Sequence, residues 1–149
     1  MEITKIKFDK NLTTVWYTKS DGTTTTESKV SCEEPRDPAF TKEADKLLPH
    51  MIEILELPST WQYDDLTVTG VEFQHGDIGI GCAVNFYKKF PKFKSPLNIN
   101  TPYVVAVLHS KELEHTLHRL QEHAAAFISG KREQADLFSK IEMTVIHGE

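Results

Sequence analysis

From Ile78 to Phe86 an apolar residue stands at every second position: Ile78, Ile80, Cys82, Val84 and Phe86. A period of two puts all five on one side of a strand and is incompatible with a single helical face. Gly79, Gly81 and Ala83 occupy the other side. Residues this small predict that something comes close to that side, or that the strand bends. A one-sided strand needs an apolar partner, and the chain holds one matching surface. Leu113, Leu117, Leu120, Ala124 and Phe127 recur at steps of three and four, a helical stripe over roughly 111–129. Ser110 is placed to cap this helix and Gly130 to end it. These two stripes are expected to pack on each other.

The other elements follow from local patterning. Thr4, Ile6 and Phe8 alternate with Lys5 and Lys7, and "LTTVWYTK" resumes after a turn at 9–11. Asp21-Gly22 signals a hairpin, after which "TTTTESKVS" returns as a polar third strand, so that 2–31 reads as a meander. Asp37 and Pro38 suit a helix start, with Phe40, Ala44, Leu47, Leu48, Met51 and Leu55 at helical spacing. Pro49 lies inside that run and predicts a kink or two abutting helices there; Pro58 closes it. Residues 65–90 read as a second hairpin turning at His75-Gly76-Asp77. "PKFKSPLNINTPYVV" reads as an extended connector punctuated by prolines, and Ile141, Met143 and Val145 alternate as in a short last strand. The expected fold class is α+β: an antiparallel sheet, made of a three-stranded meander plus a hairpin, with two helical segments packed on one face. The 149 residues suit a single domain over 1–149, with 130–140 as a segment that can display a peptide.

Charge and cysteine content narrow the class. With 17 Lys and Arg against 22 Asp and Glu, the formal charge is −5, which argues against a coat of basic charge for duplex DNA. Cys32 and Cys82 stand far apart and form neither a disulfide framework nor a zinc cluster pattern. "MEITKIKFDK" has no apolar core of a signal peptide, and no apolar run would span a bilayer. The expected location is the cytoplasm, of a host cell if the protein is viral.

"QADLF", residues 134–138, follows the helix-ending Gly130. It resembles the peptide by which bacterial DNA polymerases and repair proteins hold the ring-shaped sliding clamp: Gln, a small or aliphatic residue, Asp or Ser, Leu, Phe. Gln134, Ala135, Asp136, Leu137 and Phe138 match all five positions. The resemblance implies that Leu137 and Phe138 fill an apolar pocket on the clamp while Gln134 meets a polar subsite. The residues themselves leave a second reading open, in which Leu137 and Phe138 fold back on the sheet as the chain leaves the helix. The wider layout, with "MEITKIKFD", "SPLNINTP" and "GKREQADLF", is similar to that of small phage proteins, a likeness that brings no activity with it. What it implies is a phage protein that rides the host clamp in replication or recombination, or that occupies its pocket. An alternative from another class is a phage-encoded inhibitor that binds a host or defence protein through its folded surface.

A second candidate is "FYKKFPKFKSP". Lys88, Lys89, Lys92 and Lys94 occur without an intervening acid, and Phe90 and Phe93 are interleaved. Cations that attract phosphates and rings that stack on bases suit single-stranded nucleic acid. In the plainer reading these lysines are solvated at a strand end and the phenylalanines belong to the core. His115, His118 and Glu122 have helical metal-compatible spacing with Glu112, yet fall opposite the Leu stripe and read as a solvated face. "GDIGIG" lies within a strand and not before a helix, so it makes no phosphate loop, and there is no nucleophile elbow. The sequence therefore argues for no enzyme, catalytic residue, metal or cofactor. A symmetric oligomer would use the Thr-rich strand or the long helix.

Overall fold

The computed structural model describes residues 1–63, 65–130 and the backbone of 141–145; side chains of 62, 63 and 141–145 are outside the description. The architecture is α+β. β1 (Glu2–Asp9), β2 (Leu12–Ser20) and β3 (Thr25–Cys32) form the meander, and β4 (Leu66–His75) and β5 (Ile80–Lys88) the hairpin. β4 pairs with β1, so the hairpin extends the meander on its open side. Three short strands complete the sheet: β6 (Leu97–Asn100), β7 (Val104–Val105) and β8 (Ile141–Val145). The strand order is β6-β5-β4-β1-β2-β3-β8, with β7 paired to β5 beside it, and every pairing is antiparallel.

Helices α1 (Pro38–Asp45), α2 (Leu47–Ile54), the four-residue α3 (Ala106–His109) and α4 (Lys111–Ile128) accompany the sheet. Ser110 Oγ accepts from the Leu113 amide at 3.1 Å and caps α4; Gly130, at φ +99°, takes the left-handed conformation that ends it. Leu113, Leu117, Leu120, Ala124 and Phe127 are all buried, against α1, β1, β2 and β5. Ile80, Cys82, Val84 and Phe86 are buried on the sheet face below. The two stripes thus meet as expected, with one correction. Ile78 is 65% exposed, because reciprocal bonds between Gly76 and Gly79 close the turn later than the alternation implies. Small residues on the far side of β5 serve a close approach. A Cβ on Gly81 would lie 2.8 Å from the Val104 carbonyl oxygen of β7.

Other expectations shift in register. The hairpin signal at Asp21-Gly22 yields a four-residue loop, in which the Asp21 carboxylate accepts from the amides of Thr24 (2.8 Å) and Thr23 (3.2 Å). Those amides hold the Asp21 carboxyl below its ordinary range. The break expected at Pro49 falls at Lys46 instead, between two abutting helices. A proline ring obstructs the carbonyl four residues before it, here Asp45, so the chain breaks there and Pro49 sits in the first turn of α2. The extended connector also contains β6 and β7, which its scattered prolines conceal, and α3 follows it.

Candidate functional site

β5 alternates to its end, so Lys88 takes the buried side next after Phe86. At this end the core gives way to rings. The chain after Pro58 forms a 3-10 turn over Ser59–Tyr63, where the Trp61 amide donates to the Pro58 carbonyl at 2.9 Å. That turn brings Trp61 against Phe90, ring centroids 6.0 Å apart at 74°. The Lys88 ammonium lies 4.5 Å from the Phe90 ring centre and 5.3 Å from that of Trp61. A desolvated cation between two ring faces is a favourable electrostatic arrangement, and its aliphatic stem covers apolar surface.

Phe90 begins a turn with Pro91 second, where a proline presets the backbone. The Phe93 amide donates to the Phe90 carbonyl at 3.1 Å. This fixes Phe93 edge-on to Phe90, centroids 6.2 Å apart at 90°. Phe93 is nevertheless 70% exposed. A trough of about 510 Å³ opens beside it, lined by Phe90, Phe93, Lys94, Ser95, Pro96 and Leu97. A neighbouring trough reaches Lys89 and one acid, Asp65. Lys89, Lys92 and Lys94 are exposed.

The structure therefore divides the second sequence candidate. Lys89, Lys92 and Lys94 are solvated, Phe90 is partly buried, and the other two residues reverse the plainer reading: Lys88 is buried, 8% exposed, and Phe93 is outside. Trp61, which organises the cluster, escaped sequence reasoning; a Trp inside the polar stretch "PSTWQY" was the available signal. The first candidate, Gln134, Ala135, Asp136, Leu137 and Phe138, lies outside the described residues.

Other polar groups have local partners. On the sheet face away from the helices, Trp16 lies under the ammonium groups of Lys5 (5.1 Å) and Lys29 (6.0 Å), and Lys5 pairs with Glu72 at 3.5 Å. Tyr103 donates to Glu72 at 3.4 Å. The buried Glu43 of α1 meets Arg119 of α4 at 3.0 Å and Lys46 at 3.3 Å. His50 and His109 meet edge to face at 5.5 Å, and burial, then the neighbouring His109, lowers the pKa of His50. Burial pushes the Cys82 thiol up to about 12, so it stays protonated near neutral pH and is no nucleophile there. His115, His118 and Glu122 are exposed on the outer side of α4, and among the described residues no three His, Cys, Asp or Glu side chains come together to hold a metal ion. No helix among the described residues is long and apolar enough to cross a membrane. Comparison with models of protein families, with curated proteins and with solved structures finds no match to this chain.

Proposed function

We propose that this protein is a non-enzymatic accessory factor of DNA replication or recombination, phage-encoded, that docks on the bacterial sliding clamp through residues 134–138. The observation that carries the reading is the five-position match of Gln134, Ala135, Asp136, Leu137 and Phe138 to the clamp-binding peptide. The match falls between the end of α4 and the start of β8, within the twelve residues 129–140. Leu137 and Phe138 supply most of the affinity, because adjacent apolar anchors in a pocket dominate the binding of a short peptide. Two such side chains contribute only a few kcal/mol each before ordering costs, so a single site binds with Kd on the order of micromolar. The ring's several identical pockets raise the avidity of any multivalent assembly. Recruitment to the ring and exclusion of host polymerases use the same contacts.

The test is a clamp-binding titration paired with thermal melting. The double variant Leu137→Ala/Phe138→Ala is expected to lose clamp binding and to melt like the parent. Gln134→Ala is expected to weaken binding in part, since it orients the peptide more than it anchors it. A parent without clamp affinity, together with a double variant that unfolds, refutes docking and leaves these side chains as packing.

A further inference from the structure

We infer that the groove on the β5–β6 connection binds single-stranded nucleic acid, stacking a base on Phe93 and holding phosphates with Lys89, Lys92 and Lys94. The inference rests on described residues alone and stands independently of clamp docking. Its first ground is Phe93. A phenylalanine 70% exposed at the tip of a turn forgoes the burial that would stabilise the fold, yet its position is not loose. The Phe90–Phe93 turn bond holds it, Pro91 stiffens the turn, and Phe90 is itself held between Trp61 and the Lys88 ammonium. A ring presented on so fixed a base needs little ordering when a second flat ring stacks on it.

The second ground is charge. Lys89, Lys92 and Lys94 stand exposed within six residues of one another; Lys94 lines both troughs, Lys89 the second, and Lys92 precedes Phe93 in the chain. Among the described residues Asp65, beside Lys89, is the one acid that lines either trough. The chain as a whole carries −5, so this surface opposes the global balance and selects an anionic partner. An exposed ring among cations is the combination that unpaired nucleotides require, since their bases offer free faces and their phosphates regular negative charge. A duplex keeps its bases stacked and offers Phe93 nothing to lie on. The trough of about 510 Å³ falls within the range of small-molecule sites and has room for a base against Phe90, Pro96 and Leu97. Among the described residues that line it only Lys94 and Ser95 carry side-chain donors, so binding should be tolerant of sequence.

The experiment is fluorescence anisotropy with the full chain and a labelled oligothymidylate, over a range of salt concentrations, beside a duplex of equal length. The expected result is saturable binding to the single strand, weaker binding to the duplex, and a log–log salt slope of about −2 from three phosphate contacts. Phe93→Ala should weaken binding by roughly 5- to 150-fold with the slope unchanged, the range that loss of one stacked base implies. The triple variant Lys89→Gln/Lys92→Gln/Lys94→Gln should flatten the slope. All four side chains are exposed, so these variants should fold, and circular dichroism melts confirm that they do. Absence of binding up to about a millimolar at low salt overturns the inference, that being well above typical non-specific constants. So does equal affinity for the duplex, or a Phe93→Ala variant that binds like the parent.

Discussion

Replacing Gly81 by alanine separates local backbone freedom from tertiary contact, because the same chain contains a control. A Cβ at Gly81 would stand 2.8 Å from the Val104 carbonyl oxygen and 3.5 Å from its carbon. Both are backbone atoms of β7, held in register where Cys82 faces Val104 and Gly81 faces Val105. No flexible side chain is there to yield, so β7 must move or its bonds to β5 must stretch. Overpacking of this kind costs about 1–3 kcal/mol. Against it stands the smaller entropy of an unfolded chain carrying alanine, worth about 0.4–1 kcal/mol. At the middle of these ranges the net destabilisation is about 1.3 kcal/mol, a fall in Tm of about 3–5 °C for a domain of this size. At Gly76 the nearest atom to a new Cβ is the Gly79 carbonyl oxygen at 3.8 Å, ordinary contact distance. Gly76→Ala should therefore leave Tm unchanged or raise it slightly. Both variants are read by thermal melting followed by circular dichroism. A Gly81→Ala protein that melts at or above the parent would refute the close approach of β7 to β5.

Two further outcomes are expected. Leu117, fully buried in α4, should tolerate no charge: Leu117→Asp should destabilise by several kcal/mol in urea titration, and a parent-like midpoint would overturn the assignment of the buried stripe. His50 takes up a proton less readily in the folded chain than at its ordinary 6.5, so as pH falls the unfolded chain protonates first. The contribution is intact above about pH 6.5 and is lost as pH drops through the lower folded value. His50→Gln should lessen the fall in Tm between neutral and mildly acidic pH, and an unchanged acid slope would remove His50 as its source.

The elements with regular periods were legible in the chain, and those fixed by contacts from elsewhere were not. Five stripe residues of α4 and four apolar residues of β5 declare their faces because burial on one side forces a period. Ile78 obeys the same period and still lies outside, since the turn's closing bonds between Gly76 and Gly79 are invisible to hydropathy. β6, of sequence "LNIN", is an edge strand largely exposed on both sides, so no alternation marks it. Pro49 announced a break but not its place, which the obstructed carbonyl of Asp45 decides. At the site, the cluster of lysines and phenylalanines was plain while its arrangement was not. Lys88 meets the ring of Phe90, two positions on, and that of Trp61, 27 positions earlier in the chain, which only tertiary structure brings to it.

The sheet order also bears on how two binding surfaces could serve one protein. The β5–β6 connection lies at one edge, whereas β8, the strand that follows residues 134–138 in the chain, lies at the other. Five strands separate β6 from β8: β5, β4, β1, β2 and β3. The groove at one edge shares no strand with β8 at the other, and sites without common partners act additively. A clamp docked through the peptide would therefore leave Phe93 and its lysines open to a strand of nucleic acid. Tethering to a ring already on DNA would in turn raise the local concentration of groove around that DNA without any new contact. If both proposed surfaces bind, two individually weak ones suffice, because each one's local concentration is then set by the other.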